Sequence, residues 1–190
     1  MGKEQGHLPR LSGGAYQGLA SVHWVHTVED RKTGWLGEDF HGRFREILLH
    51  CMAKFRLCCA VYCLMPDHVH MVWIGWHSGS DQRRASAFFR RHANAALLRG
   101  NPGARFQRQA YDHVLREEER RPDVFESTVG YIAANPLRAG IVAEDQVAEF
   151  PYAGCMVPGY PDLSIWDAGY WQKFWRIYEA LVRQGEEEGM

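Results

Sequence analysis

The chain predicts an α+β fold, an antiparallel sheet with helices packed on it. Two β-type runs, over 57–64 and 68–76, are joined only by the turn Met65-Pro66-Asp67 and read as a hairpin. Amphipathic helices flank that hairpin, and further strand patterns lie on either side of them. The elements justify themselves in order. Residues 1–18 are Gly-rich with Pro9 and read as a loose arm. Residues 19–28 (LASVHWVHTV) alternate loosely and are rich in β-branched and aromatic side chains, which marks a strand. Asp30 to Gly34 supplies a turn. Over 41–55 the apolar positions Phe44, Ile47, Leu48, Cys51, Met52 and Phe55 recur at three and four, as on a helix burying one face. A second helix over 80–98 carries Ala85, Phe88, Phe89 and Leu97, and Gly100-Asn101-Pro102-Gly103 ends it. A weaker strand pattern covers 106–116. A helix follows over 123–135, with Pro122 as its first residue and Pro136 just past its end. Pro151, Pro158 and Pro161 place the next stretch in loops, and an aromatic helix over 168–183 closes the chain.

Composition narrows the class. Of 190 residues, 46% are hydrophobic and 13% aromatic, enough for one packed core and too many for a disordered chain. No apolar run approaches a membrane span, and the N-terminus has no signal-peptide pattern. Five cysteines without a CxxC pair argue for reduced thiols in a cytosolic setting, and Cys58, Cys59 and Cys63 read as core packing. The net charge of −1 hides a segregation. Between residues 82 and 111 the charged residues are Arg83, Arg84, Arg90, Arg91, Arg99, Arg105 and Arg108, with no Asp or Glu. The stretch after 143 is acidic instead. An all-arginine run fits phosphate recognition, because the guanidinium fork matches phosphate oxygens. A solvated, Arg-rich helix face is the alternative.

Two motifs carry chemistry. His68-Val69-His70 lies on a strand, so both imidazoles project from one face while Val69, Met71 and Trp73 project from the other. Two imidazoles held in parallel can chelate a divalent cation. A bare HxH pair is equally at home on a surface or in a core, but an apolar strand that places two histidines on one face needs something polar there. The second motif is Tyr131-Ile132-Ala133-Ala134-Asn135-Pro136. On a helix Tyr131 and Asn135 stack at i and i+4. A phenol can attack phosphorus, and an amide oxygen suits Mg²⁺ or Mn²⁺. Alone, the motif also reads as a core tyrosine with Asn135 closing its helix.

Taken together, Met-Pro-Asp-His-Val-His on a strand and Tyr-Ile-x-x-Asn-Pro-Leu-Arg-Ala-Gly-Ile-Val some sixty residues on resemble the single-tyrosine HUH transposases. The likeness is strongest to the REP-associated tyrosine transposases. It extends to Tyr62-Cys63-Leu64-Met65, Arg105-Phe106-Gln107 and Tyr111-Asp112-His113-Val114-Leu115-Arg116, and runs from about residue 19 to 152. The resemblance implies a ferredoxin-like sheet over 19–152, with 1–18 as an arm and 153–190 as a helical extension with an acidic tail. It implies His68, His70 and Asn135 as ligands of Mg²⁺ or Mn²⁺, and Tyr131 as a nucleophile that cuts single-stranded DNA, forms a 5′-phosphotyrosine and rejoins strands. Asp112 and His113, on the adjacent predicted strand, are candidates to support the ligands or touch DNA. The expected partner is hairpin-containing single-stranded DNA, bound through Arg83, Arg84, Arg90, Arg91, Arg105 and Arg108 by a cytoplasmic, nucleoid-associated monomer or homodimer. Two other classes stay open. One is a hairpin DNA- or RNA-binding relative that does no chemistry. The other is a hydrolytic zinc enzyme using His68, His70 and His113.

Overall fold

A computed structural model describes residues 10–187. The described residues form five strands and five α-helices, which follow the expected order except that α4 and β5 are additional: β1 (Ser21–Thr27), α1 (Glu38–Phe55), β2 (Leu57–Met65), β3 (His68–Gly75), α2 (Gln82–Gly100), β4 (Tyr111–Val114), α3 (Pro122–Ala133), α4 (Asn135–Arg138), β5 (Ala153–Met156) and α5 (Tyr170–Glu187). The sheet is antiparallel throughout, in the order β4-β1-β3-β2-β5. Its first four strands have the ferredoxin-like arrangement, and β5 is added at the β2 border.

The two faces of the sheet bury different sets of side chains because strand residues alternate. Val22, Trp24, Val69, Met71 and Trp73 pack against Phe44 and Leu48 of α1 and Ala85, Phe89 and Ala93 of α2. Val61, Cys63, Val72 and Ile74 face the other way, against Phe125, Val129 and Ile132 of α3 and Phe174 and Ile177 of α5. α2 is started by Asp81, whose carboxylate accepts the backbone N–H of Arg84 at 3.0 Å. α3 opens on Pro122, which has no N–H to leave unpaired there. Where β3 ends, a Cβ on Gly75 would lie 1.9 Å from the Gly18 carbonyl oxygen, so only glycine fits. All five cysteines are buried and free, as core packing requires. No helix among the described residues is long and apolar enough to cross a membrane.

Three elements differ from the sequence reading. Residues 1–9 of the predicted arm lie outside the described residues, but 10–18 are pinned. Tyr16 is fully buried beside Trp24, its hydroxyl donates to the Asp112 carboxylate, and Arg10 pairs with the same carboxylate at 2.8 Å. Glycine content concealed that single aromatic anchor. The stretch around Pro151 holds strand β5, too short to show an alternation. Helix α3 ends at Ala133, and Asn135 opens a separate turn, because Pro136 has no N–H to extend the ladder. The tryptophan-rich α5 lies flat on the sheet: Tyr170 donates to the Ala60 carbonyl at 2.6 Å, Tyr178 to that of Gly75 at 2.9 Å, and Trp175 to Glu126 at 2.8 Å.

His26 gives the fold an acid sensitivity. It is buried between Phe89 and Phe106, Ser86 Oγ lies 3.3 Å from Nε2, and Nδ1 has no partner. Burial, followed by the charges of Arg90 and Arg10, pushes its pKa from 6.5 to about 3. The folded protein therefore holds His26 neutral while the unfolded chain protonates it, so stability is lost as pH falls below 6.5. Between pH 6.5 and 5 this one group removes about 2 kcal/mol. His26→Phe is expected to flatten the pH dependence of urea unfolding over that range by one proton.

Candidate active site at the hairpin end of the sheet

β3 carries His68 and His70 on the α3 side of the sheet, as period-two alternation requires. The hairpin turn places Asp67 beside them. His68 Nδ1 donates to Asp67 Oδ1 at 2.5 Å, and Arg31 holds the other carboxylate oxygen at 2.9 Å. Burial works against ionisation of Asp67, but the His68 and Arg31 contacts outweigh it and hold its carboxyl below the usual range. With its Nδ1 proton fixed in this way, His68 presents Nε2 as a bare lone pair. That atom lies 2.9 Å from His70 Nε2. On its other side His70 Nδ1 meets His23 Nε2 at 3.0 Å. Burial first, then His23, His68 and Arg138, push His70 down to about 3, so it is neutral at physiological pH. His23 is lowered to about 4 by burial and by the neighbouring His113.

Tyr131 stands on the exposed side of α3, 57% accessible, while its neighbours Ile132 and Ala133 are buried. The link between the two motifs is Arg138. Its guanidinium carbon sits 3.6 Å above the centre of the Tyr131 ring, and Nη1 donates to Asn135 Oδ1 at 3.1 Å. Its charge is also among those that disfavour the His70 imidazolium. One guanidinium therefore touches Tyr131 and Asn135 and is felt at His70. The other atom of the Asn135 amide, Nδ2, is buried with no hydrogen-bond partner.

These residues fit a divalent cation. Two ligands at right angles on an ion about 2.1 Å away lie about 3.0 Å apart, close to the separation of the two Nε2 atoms. Asp67 is the carboxylate that commonly orients a ligating histidine, while the amide oxygen of Asn135, the third expected ligand, is bonded by Arg138. Among the described residues, no three His, Cys, Asp or Glu side chains are grouped to hold a metal. The three-histidine zinc arrangement with His113 therefore does not form: His113 bonds Glu119 at 2.8 Å and faces His23 across the strand pair.

Other expected site residues separate. Asp112 points to the opposite face of the sheet, into its bonds with Tyr16 and Arg10, because it is one position out of phase with His113. It does not stand beside the histidines. Arg83, Arg84, Arg90 and Arg91 belong to α2, which covers that same far face. Arg83 lies over the Tyr16 ring at 5.8 Å. Arg105 and Arg108 are at the His68 end of the sheet, where residue 107 bonds the backbone of Thr27 and Arg105 pairs with Glu29 at 2.5 Å. His23, Asp67 and Arg138 are the site residues that motif spacing did not single out. Arg138 had a readable signal, since 131, 135 and 138 follow the i, i+4, i+7 rule of one helix face.

No protein-family model matches the chain, and no curated protein does. Among solved structures, a REP-associated tyrosine transposase bound to a REP hairpin aligns with a TM-score of 0.62 and 17% identity, over 78% of this chain and 82% of that one. This chain has the fold of a REP-associated tyrosine transposase. A crystal structure of a putative transposase from Deinococcus radiodurans R1 aligns at 0.44 with 14% identity, over 70% of this chain and 98% of that one. A bacterial tRNA(His) guanylyltransferase-like protein in complex with GTP aligns at 0.40 with 11% identity, over 69% and 74%. In this fold the paired imidazoles lie at the hairpin end of the central strand β3, on the face of the sheet that α3 covers.

Proposed function

We propose that this protein is a metal-dependent single-strand DNA nickase and strand transferase that acts on hairpin-containing DNA through Tyr131. What supports the reading is the closely paired His68 and His70 imidazoles, together with an Arg138 that contacts both Tyr131 and Asn135 and whose charge acts on His70. The fold shared with a REP-associated tyrosine transposase supports it.

His68, His70 and Asn135 would hold Mg²⁺ or Mn²⁺. The ion, when bound, supplies positive charge to the scissile phosphate and eases departure of its 3′-oxygen. The protein's own residues do the rest. Asp67 keeps the proton on Nδ1 of His68 and so frees its Nε2 lone pair, and a neutral His70 that carries its proton on Nδ1, donating to His23 Nε2, offers the second. Tyr131 Oη attacks phosphorus and its proton passes to water, since the side chain is exposed. The bond from phosphorus to the 3′-oxygen breaks, and that oxygen takes a proton from solvent. The products are a 5′-phosphotyrosine and a free 3′-OH. Attack by a 3′-OH on that ester reverses the step and rejoins a strand, with no external energy source.

The test is incubation with end-labelled single-stranded hairpins from the flanks of the protein's own gene, with Mn²⁺ or Mg²⁺. An SDS-resistant protein–DNA adduct is expected, and EDTA is expected to remove it without removing hairpin binding. Binding without any adduct under either metal overturns the catalytic reading and leaves a binding protein.

A further inference from the structure

The position of Arg138 has a consequence beyond holding Tyr131. Its guanidinium donates to Asn135 Oδ1, the oxygen that the proposed function gives to the metal, and its charge reaches His70. A cation therefore already stands where a second, doubly charged one is to bind. Arg138 is also exposed, on a four-residue helix, with Ala139 and Gly140 exposed beyond it. A long flexible stem lets the guanidinium swing without moving the backbone.

The geometry points to Arg138 as an exchangeable counter-cation: at rest it occupies Asn135 and the Tyr131 face, and on loading it releases Asn135 and takes up the scissile phosphate. The inference rests on the function proposed above and adds a residue and a sequence of events to it. Like charges at this range make the resting arginine a competitor of the metal. The same fork, once turned outward, gives two parallel donors to phosphate oxygens next to the attacking phenol. The two roles have opposite signs when the side chain is removed, which a purely structural residue would not show.

Mn²⁺ binding, followed by the electron paramagnetic resonance signal of free Mn²⁺, separates them. Arg138→Ala is expected to bind Mn²⁺ about tenfold more tightly than wild type, as expected for a single charge opposing a dication a few ångströms away. The same variant at saturating Mn²⁺ is expected to form adduct about a hundredfold more slowly, with loss of a charge-assisted phosphate contact. Arg138→Lys keeps the charge and loses the fork, so it is expected to bind Mn²⁺ as wild type does and to form adduct slowly. Equal or weaker Mn²⁺ binding by Arg138→Ala, or wild-type adduct rates in it at saturating metal, overturns the inference. If wild type, Arg138→Ala and a His68→Ala/His70→Ala control all bind Mn²⁺ alike, the metal site itself fails. An adduct formed normally by wild type, with no change in Arg138→Ala, leaves the function standing and removes only the role of Arg138.

Discussion

Tyr131→Phe is expected to abolish the covalent DNA adduct, with a loss of four orders of magnitude or more, on the order of what removing a nucleophile costs other enzymes. The substitution deletes one hydroxyl and keeps the ring, so the Arg138 guanidinium retains its seat 3.6 Å above the ring centre. Nothing in the core changes either, because Tyr131 is mostly exposed and α3 is held by Phe125, Val129 and Ile132. Thermal stability and hairpin affinity should therefore stay near wild type while the SDS-resistant band disappears. A band of undiminished intensity would mean another side chain attacks phosphorus, and the proposed chemistry would be wrong.

His70→Ala is expected to have the next largest effect, and a readout that does not depend on catalysis. If His68 and His70 hold one ion, saturating Mn²⁺ stabilises the folded wild type by about 2.7 kcal/mol at a hundred times the dissociation constant. For a chain of this size that corresponds to a rise in Tm of about 5–10 °C. His70→Ala leaves a single imidazole and should lose that rise. Without metal, the variant should unfold close to wild type near neutral pH. It should become less sensitive to acid, because His70 is held neutral by burial and protonates on unfolding below pH 6.5. An Mn²⁺-induced rise in Tm that survives the substitution would place the metal elsewhere or nowhere.

Much of this was legible because it is local. Alternation over 68–76 puts both histidines on one face without knowledge of any neighbouring strand, and the short spacing from Tyr131 to Asn135 marks the second motif, although a break after Ala133 separates the two residues into different helices. The hairpin, the two large helices and the final aromatic helix follow from the same short periods. What stayed hidden depends on partners distant in sequence. His23 becomes part of the site only because Val25, two positions along β1, is in register with His70. Asp67 reads as a turn residue until the hairpin closes and turns its carboxylate onto His68. The arginines of α2 form one basic run in sequence. Charge does not say which face of the sheet that helix covers, and it covers the one away from the histidines. Tyr16 failed to register because one aromatic among glycines has no pattern, although it anchors residues 10–18 to Asp112.

The late position of β5 and α5 bears on how the molecule is made. β2 is buried along its whole length, and its outer side is hydrogen-bonded by β5 while α5 roofs the neighbouring apolar surface. Both come from residues 153–187, so a nascent polypeptide emerging from the ribosome carries β2 bare along one flank until that segment has been synthesised. An incompletely translated chain therefore exposes an apolar, unpaired strand to other chains, a hazard for aggregation and a target for chaperones.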